Sequence, residues 1–299
     1  MKHFLTILVL LLIAVSPLRA DEHGAEIPPY IRVGVAAGSV DAVAGKVTEA
    51  LKTGGFEILG TYNPENNPGL CVIAFTRGDL KAAAVKVQDR GALAAVLKVG
   101  LVKKTNGVTV SYLNPPYIFN AYLRKEATKQ GRVLDKVTTD LKAALGTLGS
   151  EFAGFGGGIR AEKLWKYRYK FMMPNFDDPE ELNTYESFEA GVATISAHLK
   201  ENSVHAREVY RLVYPAEKTA VFGIALLDPE EGEGMFLPKI GEGHIAAMPY
   251  EMILQGDTVT MLPGRYRIAL SWPDLSMGTF MKIMSTPGDI KDMMRSLTE

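Results

Sequence analysis

Ser39-Val40-Asp41-Ala42-Val43-Ala44-Gly45-Lys46-Val47-Thr48-Glu49-Ala50-Leu51-Lys52 returns 148 residues later as Ser187-Phe188-Glu189-Ala190-Gly191-Val192-Ala193-Thr194-Ile195-Ser196-Ala197-His198-Leu199-Lys200. No gap is needed: Val47 falls on Ile195 and Leu51 on Leu199. In the first stretch Ser39 can cap a helix, Asp41 sits in its first turn, and Val40, Val43, Val47 and Leu51 recur at helical spacing before Gly54-Gly55 ends the pattern. A second pair of stretches, Gly107 to Pro116 and Gly264 to Pro273, follows in the same order, so that a helix comes first and a strand ending in proline comes last. A duplicated module is the reading, and Val108–Leu113 is expected to correspond to Arg265–Leu270.

Working outward, Tyr30 to Val35 opens the first copy as a strand, and Phe56 to Thr61 and Leu70 to Phe75 read as two more across the turn-forming Asn63 to Gly69. Ala94 to Val102 and Val108 to Leu113 form a hairpin about Asn106-Gly107, a dipeptide suited to tight turns. The second copy repeats this with strands at Trp165 to Met172, Arg207 to Val213, Ala220 to Leu227, Met248 to Leu254 and Tyr266 to Leu270, then closes with helical segments at Leu275 to Met284 and Asp289 to Leu297. Modules at 28–128 and 165–299 are thus joined by a helical linker at 129–164, which carries a glycine-rich joint at Gly154 to Gly158. Hairpin-connected strands with few helices predict an α+β fold rather than a doubly wound sheet.

The first twenty residues have the form of a secretory signal: a positive start at Lys2, an apolar run from Phe4 to Val15, and a small residue, Ala20, at the expected cleavage point. That run is shorter than the roughly 20 residues a spanning helix needs, so no stable membrane anchor is expected. A periplasmic or secreted mature chain would carry 31 basic against 34 acidic residues once Lys2 and Arg19 are lost. Such a balance leaves no electrostatic footprint for nucleic acid. The single cysteine, Cys71, lies in an apolar strand and cannot close an intramolecular disulfide, so it reads as a core residue.

Val108-Thr109-Val110-Ser111-Tyr112-Leu113-Asn114-Pro115, with its glycine turn, resembles the closing strand and Ser-Tyr-x-Asn-Pro signature of the DUF302 family, and Met248 to Leu254 is similar to that family's Pro-led strand. The resemblance implies a tandem two-copy member: two β-α-β-rich modules with curved, mostly antiparallel sheets and helices on one face. Copy one lacks the proline before its Ala94 to Val102 strand, and copy two has Ser271-Trp272-Pro273 where Asn-Pro is expected. The family's role is itself unassigned.

Candidate chemistry is sparse. Trp165-Lys166-Tyr167-Arg168-Tyr169-Lys170-Phe171 alternates aromatic and basic residues. As a strand it would put aromatics on one face and cations on the other. Trp165, Tyr167 and Tyr169, with Tyr112 and Asn114, are therefore the candidate ligand residues, although a strand with its aromatic face in the core is the favoured alternative. The glycines from 154 to 158 could form an anion-binding nest but serve more simply as a hinge. His244, Met248 and Met252 could share one side of an extended segment and suit copper(I), whereas Met277, Met281 and Met284 follow helical spacing and read as a packing stripe. The acidic loops at Asp177–Glu181 and Asp228–Gly234 lack calcium-site spacing, and no nucleophile motif or cofactor signature stands out. The expected function is non-catalytic binding of a small molecule or protein in a groove between the copies; the alternatives are an enzyme of unknown reaction or a copper or haem carrier.

Overall fold

The computed structural model describes residues 24–299; the signal-peptide reading of residues 1–20 lies outside them. The first half holds β1 (Glu26–Ile27), β2 (Tyr30–Ala36), α1 (Val40–Thr53), β3 (Glu57–Tyr62), β4 (Leu70–Thr76), α2 (Gly78–Val85), β5 (Leu97–Lys104) and β6 (Gly107–Leu113). Between the halves lie α3 (Pro115–Ile118), α4 (Gly131–Leu145), β7 (Ala153–Phe155), β8 (Ile159–Arg160) and α5 (Ala161–Leu164). The second half holds β9 (Glu180–Thr184), α6 (Phe188–Glu201), β10 (Ala206–Tyr214), β11 (Thr219–Leu226), α7 (Leu237–Ile240), β12 (Tyr250–Gln255), β13 (Thr258–Met261), α8 (Gly264–Ser271), α9 (Met277–Phe280) and α10 (Thr286–Ser296).

Two large antiparallel sheets result, with a separate two-stranded pair, β1-β8. The orders of the large sheets are β3-β4-β5-β6-β2-β7 and β10-β11-β12-β13-β9, the same path through the sheet in both halves with β7 added to the first. The fold is α+β, as the sequence predicts. The two repeated helices occupy equivalent places: α1 packs on β3, β4 and β5, and α6 on β10, β12 and β13. Each is capped by its serine, Ala42 N–H donating to Ser39 Oγ at 3.2 Å and Ala190 N–H to Ser187 Oγ at 3.1 Å. Val40, Val43, Val47 and Leu51 are buried in α1, and Phe188, Gly191, Ile195 and Leu199 in α6, the same four positions of the repeat.

Three expectations are corrected. Arg265–Leu270 is helix α8, and the strand equivalent to Val108–Leu113 is β13. Alternation misleads there because Tyr266, Arg267, Ile268 and Leu270 are all buried, leaving no polar face to show the period. Trp165–Phe171 is not a strand: α5 ends at Leu164, and the edge of the second sheet that it would have joined is taken by β9. β9 reads Glu-Glu-Leu-Asn-Thr with only Leu182 buried, so its apolar signal is too weak to be seen in the sequence. The Met277, Met281 and Met284 stripe is exposed rather than packed.

The glycine run at 154–158 is also more than a joint. Ala153–Phe155 pairs with β2, and Gly156 and Gly157 turn the chain at φ values of 87° and 84°. A Cβ on Gly156 would lie 2.8 Å from His244 Nε2, so the turn presses against the second half.

The expected concave groove between the halves is filled where the sheets meet. A Cβ on Gly60 in β3 would stand 1.9 Å from the Val209 carbonyl oxygen in β10, and one on Gly100 in β5 would stand 2.9 Å from Ile245. Backbone approaches backbone there, and one continuous apolar cluster runs through both halves.

Candidate binding site

The seam holds Lys98, Glu251, Glu233 and Arg267, four of the five buried charged residues among those described. Lys98 projects from β5 and donates to Glu251 Oε1 on β12 at 2.5 Å, and the Tyr210 hydroxyl on β10 donates to the same oxygen. Both charged side chains are almost wholly buried. Burial pushes the Lys98 pKa down, opposed by the Glu251 carboxylate, while burial and that carboxylate together push Tyr210 up. Beside them, Arg267 on α8 lies 3.6 Å from the centre of the Tyr250 ring and donates to the carbonyls of Ala247 and Pro249 at 2.5 and 2.8 Å. Glu233 is fully buried; its Oε1 accepts from the Tyr62 hydroxyl across the seam at 2.9 Å and from Leu226 N–H at 3.4 Å. Burial pushes its pKa up from 4.5 to about 7.

An aromatic box closes the seam at one end. Tyr30, Phe155 and Trp272 surround His244 with ring centroids at 5.0, 5.7 and 5.7 Å, and the Tyr30 hydroxyl donates to the Ser271 carbonyl at 2.9 Å. Burial lowers the His244 pKa against the pull of Asp274, whose Oδ1 is 3.8 Å from Nε2. Neither ring nitrogen has a hydrogen-bond partner.

Outside this sealed interior, the segment from Trp165 to Pro174 borders two concavities. One is an apolar pocket of about 100 Å³, walled by Tyr169 and Met173 on this segment, Ile268 and Trp272 on α8, and Phe280 and Met281 beyond. Arg265 is the only Asp, Glu, His, Lys or Arg in its lining. The other is an open groove of about 400 Å³ carrying the cations Arg160, Lys163, Lys166 and Arg168 beside Tyr167, with Glu26 as its one acid. Tyr167 stands between the two. Its hydroxyl donates to the carbonyl of Ala269, a residue of the apolar pocket, at 3.3 Å, and burial pushes its pKa up to about 12.

The residues singled out in the sequence are only partly brought together. Trp165 is half-buried with its indole N–H donating to Asn120 Oδ1 at 2.9 Å; Tyr167 lines the cationic groove; Tyr169 lines the apolar pocket. Tyr112 and Asn114 lie elsewhere, Tyr112 buried in β6 opposite Ile31 and Val99, and Asn114 donating to the Pro28 carbonyl at 2.7 Å. Nor do His244, Met248 and Met252 line one side of an extended segment. His244 is in a short helical turn at Glu242–Ala247, whereas Met252 is buried within β12 opposite Phe222 and Met261. Among the described residues, no three His, Cys, Asp or Glu side chains are grouped as a metal site would require, and no helix is long and apolar enough to cross a membrane. Cys71 is buried, and its thiol pKa is pushed up to about 12 by burial.

Sequence reasoning missed Lys98, Glu251, Glu233 and Arg267. For the first two a signal existed: a lone charge inside an apolar strand run, as in Leu97-Lys98-Val99-Gly100-Leu101, demands a buried partner. The pocket offered no local signal, since its walls come from residues about a hundred positions apart in the chain.

No family model matches the chain, and no curated protein is similar to it at a significant level. Among solved structures, the chain is similar to the crystal structure of an uncharacterized conserved DUF302 protein from Bacillus stearothermophilus, at 12% identity and a TM-score of 0.35 over 40% of this chain and 98% of that one.

Proposed function

We propose that this chain is an exported, non-catalytic binding protein built from two DUF302-like copies, and that it takes a small apolar or amphiphilic molecule in the pocket beside Trp272. The Met1–Ala20 pattern supports export, and the Ser39 and Ser187 repeats together with the Val108–Pro115 motif support the tandem DUF302-like reading.

One contrast carries the binding reading. Lys98, Tyr210 and Glu233, whose pKa values burial displaces, are buried in the seam, whereas an enzyme gathers such groups in an accessible cleft; of the groups lining the two concavities only Tyr167 is displaced. The pocket is the reverse: accessible, apolar and almost free of ionisable groups.

Titration with 1-anilinonaphthalene-8-sulfonate, an amphiphilic anion, tests the proposal. Trp272 emission in a Trp165→Phe background should change saturably as the dye binds, and Ala269→Phe, which fills the pocket from α8, should abolish that change. Binding that survives Ala269→Phe, or no saturable binding by the wild-type chain, overturns the assignment.

A further inference from the structure

We infer that the turn at Lys170–Met173 and the adjoining methionine face dock onto the surface of a bilayer containing anionic phospholipid. Met173 N–H donates to the Lys170 carbonyl at 3.1 Å, closing a turn whose two central residues are Phe171 and Met172. Those side chains are 88% and 82% exposed, and Met172 takes a left-handed φ of 64° that glycine or asparagine would adopt more readily. Turn tips are ordinarily polar; here the backbone adopts an unfavourable conformation and presents two large apolar groups to solvent.

The tip does not stand alone. Tyr169 and Met173, on either side of it, share the apolar pocket with Met277 and Met281, so the turn and the exposed methionine face form one apolar surface. Contiguous exposed apolar area of this kind marks an interaction surface.

Charge selects the occupant. Lys166 and Lys170 flank the tip and Lys282 sits among the methionines, all three exposed. The acids nearest the tip in sequence, Asp177 and Asp178, are engaged by Arg124 and by Arg168, the latter pair at 3.7 Å, and Asp274, three residues before Met277, stands 3.8 Å from His244 Nε2. Apolar groups at the tip with ammonium groups set around them match the acyl boundary and the phosphate layer of an anionic lipid surface. Docking is reversible, and it stands independently of what fills the pocket.

Cosedimentation of the mature chain with phosphatidylcholine vesicles, with and without phosphatidylglycerol, tests this. The wild-type chain should pellet with the anionic vesicles alone and be released by high salt. Phe171→Ser with Met172→Ser should lower partitioning roughly 100-fold, and the triple Lys166→Gln, Lys170→Gln, Lys282→Gln variant by about the same factor. All five positions are exposed, and an unchanged circular dichroism spectrum confirms folding. Equal binding to both vesicle types, no vesicle binding, or full binding by the tip variant overturns the inference. Self-association abolished by the tip variant without vesicle binding also overturns it, in favour of a second copy as occupant. Dye binding at Trp272 without vesicle binding sinks the docking but leaves the pocket proposal standing.

Discussion

The seam and the 165–174 turn invert each other. At the seam, Lys98, Glu251, Tyr210 and Glu233 are polar or charged and lie inside the molecule, Lys98 and Tyr210 bonded to Glu251 and Tyr62 to Glu233; at the turn, Phe171 and Met172 are apolar and lie outside, satisfied by nothing within the chain. Both arrangements cost free energy relative to the ordinary placement of such side chains. They differ in what offsets the cost. The seam's compensation is internal, through the Lys98, Tyr210 and Tyr62 hydrogen bonds, although Glu233 Oε2 and Arg267 Nη1 have no partner in the chain. The turn's compensation must come from outside the chain, which is why the turn and not the seam is the place to look for a ligand or a surface.

The largest effect should come from orphaning one member of the seam network. Lys98→Ala leaves Glu251 and Tyr210 buried without their cation and should cost about 3–5 kcal/mol in urea denaturation, whereas Lys98→Met combined with Glu251→Leu and Tyr210→Phe, which leaves no member of the trio orphaned, should restore stability to near that of the wild type. A Lys98→Ala loss below about 1 kcal/mol would mean that solvent reaches the pair, and the contrast with the turn would collapse.

Glu233 sharpens the comparison through pH. Because burial holds its folded-state pKa near 7 against an ordinary 4.5, the folded chain keeps a proton that the unfolded chain has released over that interval. The stability supplied by the neutral carboxyl is therefore full below about pH 4.5 and lost as the pH rises through about 7, a change on the order of 3 kcal/mol. Glu233→Gln should flatten that decline, showing its gain at pH 8 and little at pH 4. Parallel stability curves for the two proteins across this range would remove Glu233 from the sealed network.

Gly60→Ala tests the closeness of the seam itself. The added Cβ meets the Val209 carbonyl at 1.9 Å, a contact that only a backbone shift can relieve, and the expected loss is roughly 2–3 kcal/mol. Gly45→Ala, in α1 with nothing within 4 Å of the new Cβ, should instead raise stability by about 0.5–1 kcal/mol. The smallest effect belongs to the turn: Phe171→Ala should change stability by less than about 0.5 kcal/mol, since its side chain is exposed. A larger loss would show that the ring packs against the chain and needs no outside partner.

How far these regions could be read in advance differs for a physical reason. The paired helices were legible because serine caps and four apolar positions are local features, each set within one or two turns. The Trp165–Phe171 segment was misread because alternation signals a strand only where a sheet edge is free to receive it, and β9 had that edge. The methionines at 277, 281 and 284 keep helical spacing whether they face a core or solvent, so spacing alone cannot separate packing from display. Lys98 and Glu251 each sit as a charge in an apolar run, a signal the sequence reading passed over, and their pairing across 153 residues is set only where the sheets meet.

By itself the sequence determined the α+β class, the position and caps of the repeated helices, and the near-neutral charge, because composition and short-range periodicity carry all of these. Tertiary structure alone decided that the two sheets meet closely at Gly60 and Gly100, that α8 is a helix, that the pocket exists, and that Phe171 and Met172 face solvent. Those outcomes depend on which surfaces meet at long range, and a side chain's burial is a property of its neighbours in space rather than its neighbours in the chain.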